Sequence, residues 1–172
     1  DIDAVEAWDL VPSNNPTVSV AMFDGGLDLT IPDLGANVTS PFNATNSTSS
    51  IPYVGIEDKH GTTCSGTIAA ITNNSIGVSS VGNNKVKVMP ICIMTQTFTG
   101  GSFSTSDAIQ VNAVNAAMAN PTCVAIAMSY GGSSYSSALD AAFVAARTTA
   151  RGGKGMVVVA SSGNGSSGTA AQ

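Results

Sequence analysis

The chain has 172 residues, enough for one domain with a buried core and too few for two of ordinary size. Charged residues make up 10% and apolar residues 43%, and six Lys and Arg against eleven Asp and Glu leave a net charge of −5, which disfavours a basic nucleic-acid binder. A mean hydropathy of +0.23 comes in short apolar runs, far below the roughly 20 residues of a spanning helix, so it signals a core and not a membrane segment.

In chain order, a short helix over Ala4 to Leu10 carries the only Trp, Trp8, and Pro12-Ser13-Asn14-Asn15-Pro16 turns the chain after it. Val18 to Phe23, Val86 to Ile93, Val124 to Met128 and Met156 to Ala160 are short continuous apolar runs flanked by Gly, Asn, Ser and Pro, the signature of parallel strands buried on both faces. A helix starts near His60 and runs through Ile68 and Ile71. Ser106 to Asn120 forms another, with Ile109, Val111, Val114 and Met118 inward and Asn112 and Asn115 toward water; Asn120-Pro121 ends it. Ser137 to Arg151 is a further helix, with Leu139, Phe143 and Val144 inward and Gly152-Gly153 as its stop. The uncharged Ser, Thr, Asn and Pro of residues 37–56 read as one long loop or irregular hairpin. Alternating strands and helices predict an α/β fold in three layers, a mostly parallel sheet with helices on both faces.

Three strands end in polar residues: Asp24-Gly25-Gly26, Ser129-Tyr130-Gly131-Gly132 and Ser161-Ser162-Gly163-Asn164-Gly165. In open parallel sheets the crevice beyond the carboxyl ends of the strands is where ligands bind, so these residues face a common cleft. A carboxylate directly after a buried strand needs a partner to stay ionised. The single histidine, His60, opens a helix and can meet it. An Asp–His pair makes a general base, in which the carboxylate fixes the imidazole tautomer. The three cysteines, Cys64, Cys92 and Cys123, form no C-x-x-C pair, and with one His in the chain this argues against a zinc site. Sparse charge with abundant Ser, Thr, Gly and Asn is typical of secreted enzymes. Asn37-Val38-Thr39, Asn43-Ala44-Thr45, Asn46-Ser47-Thr48 and Asn73-Asn74-Ser75 match a glycosylation pattern that chance readily produces in so Ser/Thr-rich a sequence.

Three segments in this order resemble the subtilisin-like serine proteases. They are Val18 to Asp28 followed by Ile31-Pro32-Asp33-Leu34, then His60-Gly61-Thr62-Thr63-Cys64-Ser65-Gly66-Thr67, and Met156 to Asn164. The resemblance implies that Asp24 orients His60, that His60 is general base and then general acid, and that the Asn164 amide donates to the oxyanion. It implies that Ser129, Tyr130, Gly131 and Gly132 line one wall of the specificity pocket and Ala160, Ser161, Ser162 and Gly163 the other. Gly100, Gly101, Ser102 and Phe103 would pair with an extended polypeptide substrate as an edge strand. Asn73 to Val78 resembles a loop that binds calcium in some members, with Asp33 and Asn74 as oxygen ligands. Cys64 resembles the free cysteine of proteinase K-like and kexin-like relatives.

No segment resembles the Gly-Thr-Ser-Met-Ala motif that carries the nucleophile. Residues 1–172 are therefore expected to be a partial catalytic domain, its C-terminal part missing, whose partner is the remainder carrying the Ser and whose apolar surface is left uncovered. The alternative function is a non-catalytic binding or scaffold domain on the same fold. A nucleotide-binding module, suggested by Gly163-Asn164-Gly165-Ser166-Ser167-Gly168, lacks the following helix and acidic residue and leaves Asp24 and His60 unexplained.

Overall fold

The computed structural model describes residues 2–52, 59–94, 104–131 and 134–163. Among these residues five strands form one sheet, β1 (Val18–Asp24), β2 (Phe42–Asn43), β3 (Val86–Cys92), β4 (Cys123–Met128) and β5 (Val157–Ala160). Their order is β2-β3-β1-β4-β5 and every pairing is parallel. Among the described residues, four α-helices longer than one turn accompany them, α1 (Ala4–Leu10), α2 (His60–Ala69), α3 (Asp107–Ala119) and α4 (Ser137–Thr148). A single turn over Ala150–Gly153 follows α4.

Side chains alternate across the central strand and so build two cores. Ala21 and Phe23 of β1 join Ile91, Ile126, Val114, Ala117 and Ala146, so α3 and α4 cover one face. Met22 joins Leu27, Leu34, Val88 and Ala69, which seats α2 on the opposite face. The result is the expected three layers, with β1 in the middle of the sheet and its carboxyl end beneath the start of α2.

Both long helices begin on a serine cap. Ser106 Oγ accepts from the Ile109 backbone N–H at 3.3 Å and Ser136 Oγ from that of Leu139 at 3.3 Å. Ser106→Ala and Ser136→Ala are each expected to lower stability by about 1 kcal/mol, measured by urea unfolding of folded variants.

The elements depart from expectation at their margins. Phe42–Asn43 forms β2 within the predicted loop, because two residues suffice to pair with β3 at Ile91 and Cys92. Around it, Asn43 and Asn46 each accept from the backbone N–H and hydroxyl of the Thr two residues on, so these Asn-x-Thr strings act as turns. Helix α2 stops at Ala69 and does not include Ile71, whose N–H is taken by the Asp33 carbonyl at 2.7 Å. Helix α4 ends at Thr148, where Thr148 and Thr149 hydroxyls donate back to the carbonyls of Val144 and Ala145 and compete with its backbone ladder. Val144 is exposed, not inward: the centre of the buried stripe is Ala146. Asn112 is half-buried and donates to the Ala44 carbonyl at 2.8 Å, tying α3 to the loop after β2.

Strand β5, at one end of the strand order, exposes Val157 and Val159. Among the described residues no helix is long and apolar enough to cross a membrane.

Candidate active site

Asp24 is the last residue of β1 and is 3% exposed. Burying a carboxylate costs several kcal/mol unless its oxygens are met by donors. Here Oδ1 accepts the Gly25 backbone N–H at 2.8 Å, and Oδ2 lies 2.7 Å from His60 Nδ1. His60 is the first residue of α2, and its side chain is 52% exposed. The pair therefore joins a buried, immobilised carboxylate to an imidazole that reaches solvent. A proton on Nδ1 that donates to Asp24 leaves the lone pair on Nε2, the tautomer of a general base.

Close packing brings the two elements together. Gly61 follows the histidine, and a Cβ there would collide with the Gly26 carbonyl and stand 3.0 Å from Asp24 Cβ. At the next residue, Thr62 Oγ1 accepts the Asp28 N–H at 3.0 Å and fixes the loop after β1 to the helix. Cys92, in register with Asp24 on β3, donates its thiol to the Gly25 carbonyl at 3.0 Å and holds that loop from below. Thr62, Gly61 and Cys92 act here without having been singled out as site residues in the sequence. The signal that could have found the first two is their place beside the histidine.

Strands β1, β4 and β5 are neighbours, so their polar ends share one edge. Ser129, Tyr130 and Gly131 follow β4, and Ala160 to Gly163 end β5, where the Ser161 N–H donates to the Met128 carbonyl at 2.9 Å. The Tyr130 hydroxyl donates to Gln110 Oε1 at 3.0 Å. Burial, with a smaller contribution from the Asp24 charge, pushes its phenol well above the ordinary tyrosine range, so Tyr130 stays neutral there. Gly100, Gly101, Ser102, Phe103, Gly132 and Asn164 lie outside the described residues.

The loop suggested for calcium closes on Asp33 through hydrogen bonds. Asn74 Nδ2 donates to Asp33 Oδ1 at 2.7 Å, the Val78 N–H to Oδ2 at 2.9 Å, and Asn74 Oδ1 accepts the Ile76 N–H at 3.1 Å. Gly77 has a φ of +60°, and a Cβ there would collide with the same carboxylate. All three side-chain oxygens thus face N–H donors. The structure thus places Asp33 and Asn74 side by side on this loop.

Cys92 and Cys123 are buried and Cys64 is partly accessible. Burial also pushes the Cys123 thiol up, against smaller lowering contributions from hydrogen bonds to Ala21, Ala125 and Ser19 and the charge of Arg151. A disulfide reagent is expected to modify one thiol per native chain quickly and all three only in denaturant; a second fast thiol would contradict this burial.

The profile of peptidase S8, the subtilase family, matches residues 15–172. The chain belongs to the subtilase family. It is 29% identical to thermitase of Thermoactinomyces vulgaris over 95% of this chain and 52% of that one. It is 31% identical to the dibasic-processing endoprotease of Schizosaccharomyces pombe over 96% of this chain and 23% of that one. Among solved structures it resembles fervidolysin of Fervidobacterium pennivorans, a keratinolytic enzyme related to subtilisin, with a TM-score of 0.73 and 25% identity over 97% of this chain and 24% of that one. The chain thus spans about half of thermitase and about a quarter of the other two.

Proposed function

We propose that this subtilase chain supplies the Asp and His of a catalytic triad, and that the whole protein is a serine endopeptidase cutting polypeptides through an acyl-enzyme. The observation that carries this reading is the 2.7 Å contact between Asp24 Oδ2 and His60 Nδ1, with the carboxylate buried and the imidazole open to the cleft. His60 Nε2 takes the proton of a serine hydroxyl as that oxygen attacks the substrate carbonyl, and then returns it to the leaving amine. Asp24 stabilises the imidazolium between the two transfers. Asn164 is assigned the oxyanion, a donor whose loss costs roughly 10²–10³ in rate in subtilisin. Substrate lies extended between the ends of β4 and β5, and Gly100, Gly101, Ser102 and Phe103 are assigned to pair with its backbone. The serine comes from sequence outside these 172 residues, and the sparse charge of the chain supports action outside the cell.

A fluorophosphonate probe applied to the full-length product tests the proposal. Labelling of one serine beyond residue 172, abolished by His60→Ala, is the expected result. No labelling of the folded full-length protein would favour a binding or scaffold role instead.

A further inference from the structure

The Asn-x-Thr strings at Asn37, Asn43 and Asn46 share a motif that accepts an N-linked glycan, but the fold treats their amides differently. Asn37 is buried, and its Nδ2 spends both hydrogens inside the protein, on the Ala69 carbonyl at 3.0 Å and on Asn84 Oδ1 at 3.3 Å. Asn43 is equally buried, and its Nδ2 donates to the Ser50 carbonyl at 3.2 Å. A sugar on either nitrogen would need room that a close-packed interior does not hold. At Asn37 it would also strip a buried acceptor of its donor.

Asn46 differs on each count. It is exposed, on the loop after β2, and both of its side-chain hydrogen bonds fall on Oδ1, which accepts the Thr48 N–H at 3.2 Å and the Thr48 hydroxyl at 2.8 Å. Among the described residues this leaves Nδ2 to solvent. The loop is held by other groups: the Asn43 N–H donates to the Thr48 carbonyl at 2.7 Å, and Asn112 Nδ2 to Ser47 Oγ at 3.0 Å. A glycosylated amide keeps its carbonyl oxygen, so the turn onto Thr48 and the tether to α3 both persist in the product.

We propose that, of the three Asn-x-Thr strings, Asn46 alone carries an N-linked glycan in the folded protein when the chain passes through a compartment that transfers lipid-linked oligosaccharides. In that step Nδ2 bonds to the anomeric carbon of an oligosaccharyl pyrophosphate lipid. The bond from that carbon to the pyrophosphate oxygen breaks, the lipid pyrophosphate leaves with its electron pair, and the proton lost from Nδ2 passes to solvent. The product is a bulky, solubilising group on a chain of which only 10% is charged. The inference rests on the reading that the protein acts outside the cell and is independent of its peptidase chemistry.

Secretion of the full-length product from a eukaryotic host tests the site. A leader supplied by the host carries it into the pathway, so failure of the extracellular reading cannot mimic a bare Asn46. Peptide N-glycosidase in heavy-oxygen water turns each glycosylated asparagine into a labelled aspartate, which mass mapping then locates. Label is expected at Asn46 and at neither Asn37 nor Asn43. Asn46→Gln and Thr48→Ala should each remove it without creating label at the other two. The wild-type map decides alone where a variant is not secreted. An unlabelled Asn46 in the folded, secreted protein, or label at Asn37 or Asn43, would overturn the proposal. Serine labelling of the same sample reads the peptidase proposal separately: a labelled serine beside a bare Asn46 ends only the glycan site, and a glycan without a labelled serine ends only the peptidase.

Discussion

Asp24→Asn is expected to lower kcat of the full-length enzyme by about 10⁴ while leaving KM nearly unchanged. The amide can keep the bond from Gly25 N–H, now 2.8 Å from Oδ1, so the loop after β1 stays in place. What is lost is the negative oxygen 2.7 Å from Nδ1. An amide NH₂ there favours the tautomer with its lone pair on Nδ1, which points the proton-bearing Nε2 at the nucleophile. Asp24 is buried behind the imidazole, so substrate binding has little reason to change. Steady-state kinetics on a peptide substrate decide the matter: a fall below tenfold would show that the carboxylate does not orient a catalytic base.

Gly61→Ala tests the packing that brings the pair together. The added methyl would run into the Gly26 carbonyl and lie 3.1 Å from Asp24 Cγ, and neither is the loose end of a flexible side chain. The start of α2 must then move away from β1. Overpacking of this kind costs about 1–3 kcal/mol, a fall in Tm of roughly 2–12 °C for a domain of this size. Displacement of His60 should lower serine labelling as well. Gly66→Ala is the matched comparison: it lies on the same helix, with nothing within 4 Å of the added carbon, and should leave Tm unchanged or slightly raised. Equal thermal melts for the two variants would refute the close-approach argument.

The contrast between these glycines marks the limit of what the sequence discloses. Both read simply as small residues in a helix rich in them; only the fold reveals that one touches the neighbouring strand end. The four main strands and the pairing of Asp24 with His60 were legible because apolar runs ending in polar residues obey local rules. Strand β2 was not, since Phe42 and Asn43 owe their conformation to the edge of β3 and to no run of their own. Asn112 was misread for a similar reason. Its helical position points to water, but the loop after β2 folds over it and takes its amide. The hydrogen bond between Asn74 and Asp33 was not legible either, since the direction of a side-chain amide is a tertiary property.

Helix α1 contributes no buried residue, and its tie to the domain is the Trp8 indole, which donates to the Val81 carbonyl at 2.8 Å. Trp8 is also the sole tryptophan of the chain. Its fluorescence therefore monitors the peeling of one peripheral helix. An emission melt should run ahead of circular dichroism, and a stability taken from intrinsic fluorescence alone would describe the wrong transition.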